Sequence, residues 1–290
     1  MTDHASAPGG NTELRDFLRS RRARITPLEV GLGSRPTDSR RVPGLRREEV
    51  AQLAGVSVDY YVRLERGRNL NVSESVLNAV ARALCLDETE RAYLLALAKP
   101  TRTRPRAAPV QSVRPGLRQV LDASTEVPAM VLGHRLDILA INRLARALLT
   151  GLEALPRHEW NMARLLFGEE GRRLYTDWAL VARGAVAALR LYAGRHADDP
   201  RLAELVDELS THDEDFRAWW GDHDVHHHAH GTERFHHPVV GDLSLQYEAL
   251  TPNGDPDQVL CLHVAEPGSP SEQALRLLAR RSGDSPARAG

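Results

Sequence analysis

Val58, Asp59, Tyr60 and Arg63, with Arg46 and Arg47 a short way upstream, carry the donors, acceptors and apolar groups that a base edge or a phosphate would answer. Arg63 can fork onto the O6 and N7 of guanine, Val58 or Tyr60 can rest on a thymine methyl, and Asp59 can accept from the amine of cytosine. Arg46 and Arg47 fall in the first turn of a helix, where the macrodipole disfavours cations. Glu48 and Glu49 offset part of that cost, and a phosphate at the helix end would remove the conflict.

These side chains need an element to hold them, and the run LRREEVAQLAGVSVDYYVRLERG, residues 45 to 67, provides one. Val50, Leu53 and Ala54 repeat at helical spacing, Gly55-Val56-Ser57 interrupts, and Tyr61 and Leu64 resume the period. Gly55 can supply the positive φ of a tight turn, Ser57 can cap the second helix, and Ala51 is small enough for two helices to cross closely. With Tyr61 and Leu64 inward, the DNA-facing set is Arg46, Arg47, Ser57, Val58, Asp59, Tyr60 and Arg63. The plainer reading is a helical hairpin with a solvated face, but turn, cap, small residue and outward polar set coincide.

At these residues GVSVDYYVRLERGR resembles the repressor-like, Xre-type helix-turn-helix, and the longer RRVPGLRREEVAQLAGVSVDYYVRLERGR resembles the MmyB-like transcription regulators. The resemblance implies that Val58 to Glu65 is the recognition helix and that Arg47 contacts a phosphate. Arg46 departs from the wider class, in which a capping Ser is common at this position.

The chain has 290 residues, 42% hydrophobic and 27% charged, which suits two soluble globular domains. Its net charge is −1, so duplex binding rests on distribution. Arginines crowd the first quarter, from Arg15 to Arg68, and acids gather between Asp198 and Glu214. Lys99 is the only lysine. No apolar run approaches the ~20 residues of a membrane span, and the first residues lack a signal-peptide core. The expected compartment is the cytoplasm, with no membrane partner. Cys85 and Cys261 each sit among apolar neighbours and read as buried reduced thiols.

Domain boundaries are expected as a disordered tail over 1–10, a helix-turn-helix domain over 11–99, a linker over 100–115, a second domain over 116–281 and a tail over 282–290. In the first domain, helices are predicted over Thr12 to Arg24, over the two segments above, from Ser73 to Leu84 and after Asp87, with Glu90 at capping-box spacing. The loop from Ile25 to Gly44 carries Arg35, Arg40 and Arg41, which can lie along phosphates or be merely solvated. In the second domain strands are predicted at Ala129 to Leu132, Asp137 to Ala140, Arg234 to His237, Leu243 to Leu250 and Val259 to Val264. Helices fall at Leu117 to Ala123, Asn142 to Leu149, Arg172 to Tyr192, Pro200 to Leu209, Asp213 to Trp220 and Pro270 to Arg280. The fold class is thus an all-α five-helix domain, which resembles the repressor-like domain, followed by an α+β domain with a helical insertion. NRLARAL, WNMARLLF, the Trp220, His223, Asp224 and Val225 cluster, HPVVGDLSLQYEAL, GDPDQVL and AEPGS resemble the MmyB-like ligand-binding domain. That resemblance implies a PAS-like fold and a fatty-acid-like ligand.

No obligatory cofactor is expected, and a bound fatty acid is the candidate small molecule. Met130, Leu132, Leu139, Trp178, Leu189 and Phe235 can line an apolar cavity, with Arg135, Arg164 or His223 to meet a polar head. A single recognition helix spans few base pairs, so a homodimer on an operator with two half-sites is expected, with the second domain as the source of the dimer contact. Two other classes stay open. Seven histidines lie from His223 to His237, and His226 with His230 at i, i+4 plus His223 or Asp222 can hold Zn²⁺ or Ni²⁺ in a metal-responsive regulator. A hydrolase is the second alternative, although no G-x-S-x-G elbow, P-loop, H-E-x-x-H or dinucleotide fingerprint is present.

Overall fold

A computed structural model describes residues 11–32, 44–68, 72–98, 111–196, 198–225, 229–255 and 257–283. Arg35, Arg40, Arg41, most of the expected linker and His226 to His228 lie outside the described residues. The chain forms two compact units, Met1–Pro105 with Ala193–Asp198 and Gly221–His226, and Arg106–Tyr192 with Asp199–Trp220 and His227–Gly290. No helix among the described residues is long and apolar enough to cross a membrane.

The first unit holds α1 (Thr12–Arg24), α2 (Arg47–Ala54), α3 (Val58–Glu65), α4 (Glu74–Ala83) and α5 (Glu88–Ala98). The starts of α1, α3, α4 and α5 follow from their side-chain caps. Asn11 accepts from Leu14 N in α1, Ser57 from Tyr60 N in α3 and Ser73 from Val76 N in α4. Asp87 and Glu90 exchange side-chain to backbone bonds at the head of α5, the reciprocal arrangement of a capping box. Leu14, Phe17, Leu18, Val50, Tyr61, Leu64, Leu77, Val80 and Leu94 are fully buried and form the core. Arg21, 2% exposed, packs over the Phe17 ring and reaches Glu90 at 2.7 Å, joining α1 to α5.

Two expectations are corrected here. Leu53 is 36% exposed, because an eight-residue helix turns only part of its surface to the core. Cys85 is exposed and has φ 47, since the chain reverses just after α4 and swings the thiol outward while Leu84 stays inside. Cys261 is buried.

The second unit begins with α6 (Pro115–Ala123), then β1 (Ala129–Leu132) and β2 (Ile138–Ile141) around a turn in which Arg135 and Leu136 take positive φ. α7 (Arg143–Leu148), capped by Asn142, follows. Next come α8 (Met162–Phe167), α9 (Glu169–Leu174), α10 (Trp178–Arg195), α11 (Pro200–His212) and α12 (Glu214–Gly221). β3 (His230–His237), β4 (Gly241–Leu250), β5 (Val259–Val264) and α13 (Pro270–Gly283) complete it. The five strands form one antiparallel sheet in the order β2-β1-β5-β4-β3.

The single helix expected from Arg172 to Tyr192 is broken, and α10 runs on past its expected end to Arg195. Tyr175 leaves the helical path to bridge Phe235, and Thr176 N donates to the Arg234 carbonyl at 2.9 Å. Extended pairing with β3 satisfies backbone groups that a helix would otherwise have used. The helix α8 was not anticipated. Asn161 starts it by accepting from Ala163 N and Arg164 N.

Candidate nucleic-acid interface and candidate ligand site

The turn between α2 and α3 is set by Gly55, at φ 66, whose N–H returns to the end of α2. An L side chain there would be strained by the backbone alone. Gly44 serves a different need, since a Cβ would sit 2.3 Å from the Arg22 carbonyl oxygen. Its absence lets Leu45 N donate to Arg22 O at 3.0 Å and seats the start of α2 on the end of α1.

Arg46 is the N-cap of α2, and its backbone N–H donates to Glu49 Oε2 at 2.6 Å. This is half of a capping box, because a guanidinium has no acceptor to supply the other half. Arg47 begins the helix proper, with its side chain 45% exposed. Tyr61, Leu64 and Glu65 turn inward along α3, while Ser57, Val58, Asp59 and Arg63 are exposed and Tyr60 is half-buried. The seven candidate DNA-facing residues therefore lie on α2 and α3 and at their two N-caps, Arg46 and Ser57.

Glu65 and Arg22 were not anticipated as part of this arrangement. Glu65 is 1% exposed, accepts from Arg22 Nε at 2.6 Å with one oxygen, and from Arg47 Nε with the other. The Tyr61 hydroxyl lies 3.5 Å from Glu65 Oε1, and burial followed by the nearby carboxylate pushes its pKa up. A sequence signal was available, because Tyr61, Leu64 and Glu65 stand at i, i+3 and i+4 and share one helical face.

In the second unit the strand registers divide the candidate lining residues. Met130 faces Cys261, Leu132 faces Val259, and Phe235 faces Leu243, so these point to one side of the sheet. Leu139 lies at the irregularity between β1 and β2 and packs on the other side, with Val131, Ala129 and the apolar face of α6. Leu189 is fully buried on α10. Trp178 donates from Nε1 to the Leu166 carbonyl and meets Phe167 and Trp219 edge-on or tilted.

The three candidate head-group residues all have acidic neighbours. Arg135 bonds Asp199 at 2.6 Å and Asp137 at 2.7 Å, and Arg164 bonds Glu208 at 2.6 Å. His223 falls in the first unit, its Nδ1 3.6 Å from Glu13 Oε2. Among the described residues no group of three His, Cys, Asp or Glu side chains is arranged to hold a metal. His226 lies outside the described residues, and His230 is exposed on β3.

Sequence reasoning also missed a buried polar pair on the sheet. Glu233 on β3 and His263 on β5 meet at 3.0 Å, 5% and 2% exposed. The Phe235 and Tyr247 rings flank His263, and the Tyr247 hydroxyl lies 3.3 Å from Cys261 Sγ. Burial pushes the Tyr175 hydroxyl well up and the Cys261 thiol up to about 12, so Cys261 stays protonated. Beside this region an open cleft of about 630 Å³ is floored by Tyr175, Phe235 and Leu243 and edged by Arg172, Arg234 and His236. These three side chains are already matched, Arg172 by Asp213 and Asp215, Arg234 by Asp177 and His236 by Asp242.

Residues 13–94 match the family model described as a helix-turn-helix domain, and residues 113–278 match the MmyB-like transcription regulator ligand binding domain. No curated protein matches the chain. The two matches follow one another as a DNA-binding module and a ligand-binding module, which is the architecture of a regulator. Because the second match covers more than half of the 290 residues, this chain belongs to the MmyB-like family and is a DNA-binding transcription regulator.

Proposed function

We propose that the protein binds a specific duplex operator through α3 as a homodimer, and that its second domain adjusts that binding when it takes up a small apolar, fatty-acid-like effector. The observation that carries the DNA part is the division of α3. Tyr61, Leu64 and Glu65 are buried while Val58, Asp59 and Arg63 are exposed, which leaves a polar and apolar set available for base edges. Arg47 at the head of α2 and Arg46 at its cap supply phosphate contacts. The short reach of an eight-residue helix supports two half-sites about 34 Å apart, or a multiple of that spacing.

The five-stranded antiparallel sheet with helices inserted between its second and third strands supports a PAS-like reading of the second domain. Met130, Leu132 and Phe235 on one face, with Trp178 and Leu189 on the helices, are the lining residues in this reading; Leu139 is left out of it. The cytoplasm is the compartment where such a regulator meets its operator. The experiment is selection of bound duplexes from a randomised pool by the full chain. Recovery of one motif with two related half-sites supports the reading, and recovery of unrelated sequences sinks it.

A further inference from the structure

We propose that Glu65 is a positioning residue for DNA binding, holding Arg47 in the pose from which it meets a phosphate; this rests on the reading of Arg47 as a phosphate contact. Glu65 closes α3 and is buried, yet it is charged, and burying a carboxylate is costly unless it is bonded and paired. Its two oxygens are divided between two helices. Oε1 takes Arg22 Nε from α1, and Oε2 takes Arg47 Nε from α2. One carboxylate therefore joins the three helices that shape the reading surface.

The two arginines differ in what else they do. Arg22 is 12% exposed and spends Nη1 on the Leu45 carbonyl at 2.7 Å, so it fastens the entry to α2. Arg47 is 45% exposed, and its bond to Glu65 uses the inner Nε–H. The terminal nitrogens are the part of the fork that can engage an outside anion, and the anchored Nε restricts where they can be. Two guanidiniums on one carboxylate leave one positive charge over within that group of three, which favours an incoming phosphate although Glu48 and Glu49 lie in the same first turn. Without Glu65 the two like charges would repel, and binding would have to order a long side chain that the fold now orders beforehand.

The test compares the full-length wild type with Glu65→Gln, Arg47→Lys, the double variant and Arg47→Ala, on the selected operator and on random duplex across a salt series. Lysine keeps the charge but has no Nε–H in that geometry. Glu65→Gln is expected to weaken binding to both duplexes by about three- to tenfold while leaving the preference between them unchanged. Arg47→Lys is expected to lose a similar factor at an unchanged salt slope, and the double variant to be no worse than either. Losses that multiply in the double variant, or a Glu65→Gln protein that binds like wild type, would overturn the proposal. If Glu65→Gln melts below the assay temperature, Arg47→Lys decides alone: wild-type affinity overturns the proposal, and weakened binding at the same slope supports it. Arg47→Ala with unchanged affinity removes the phosphate contact and the positioning role together. Arg47→Ala that weakens binding, beside a harmless Glu65→Gln, overturns only the positioning role.

Discussion

Asp199 Oδ2 lies 2.6 Å from Arg135 Nη1 and also accepts from the Tyr192 hydroxyl at 2.8 Å, while Oδ1 caps α11 through Arg201 N and Leu202 N. Burial by itself would raise this carboxyl, but the bonds from Tyr192 and Arg135 and the charge of Arg135 hold it below its usual value. A carboxyl lowered on folding stabilises the native state above its unfolded pKa, and that part is lost as the pH falls through the lowered one. Asp199→Asn should cost about 2–4 kcal/mol at neutral pH, because it leaves the buried Arg135 short of a partner. It should also flatten the acid limb of stability. Denaturant melts from pH 7 down to pH 3 check both, and an unchanged midpoint would count against this role.

His237 supplies a second pH dependence. Its Nε2–H donates to the Ala147 carbonyl at 3.0 Å and Nδ1 accepts from Val239 N and Val240 N, so the ring is held neutral. Burial lowers its pKa, and the bond to Ala147 offsets only part of that. The unfolded chain therefore takes up the proton first. Stability from this site is full above about pH 6.5 and declines as the pH falls from there towards the lowered native value. His237→Asn should lower the melting temperature at pH 7.5 and shrink its fall between pH 7 and pH 5.5. Thermal melts that decline as in wild type would contradict the assignment.

Arg63 is the exposed cation in the last turn of α3. Arg63→Ala should cost about 1–3 kcal/mol on the preferred duplex and relax the choice of base at one position in each half-site. Repeating the selection with the variant shows whether one column of the motif becomes degenerate. A motif with every column intact would place base reading elsewhere.

The dimer is checked by sedimentation of the free chain and of the chain on a full operator. Two copies per operator are expected. One copy per operator at saturation would exclude the two-half-site reading.

Effector and operator are expected to influence one another equally. An acyl compound that weakens operator binding tenfold must itself bind about tenfold more weakly to the DNA-bound protein. Calorimetry with acyl chains of graded length, with and without operator, measures both sides. Tight acyl binding that leaves operator affinity untouched would rule out the sensor role.

The helix-turn-helix was legible because its information is local. Gly55, Ser57, Tyr61 and Leu64 lie within ten residues, and each acts through the 3.6-residue period or a backbone turn. Glu65 shared that inward face and was passed over because a charged residue reads as solvated. The second domain was legible as strands and helices but not as a site. Tyr175 continues the helical pattern of its neighbours, and only Phe235, sixty residues later, draws it out of the helix. Glu233 and His263 lie on strands separated by β4, so no periodicity in either strand foretells the other. Leu139 packs with Val131 rather than with Met130 and Leu132 because an irregularity between Val131 and Leu132 shifts which side of the sheet a β2 residue occupies.

The strand order also sets a timetable for the nascent chain. β1 pairs with β2 across a short turn, but its other edge pairs with β5, Met130 opposite Cys261. The centre of the sheet therefore cannot close until nearly the whole domain has been synthesised, and until then the N–H and C=O groups along that edge of β1 lack their strand partner. The helix-turn-helix is made first and from short-range contacts, so it can be folded while the ribosome is still producing the strand that completes its companion. A chain truncated before Val259 would carry a formed helix-turn-helix followed by a domain whose sheet lacks its middle strand, β5.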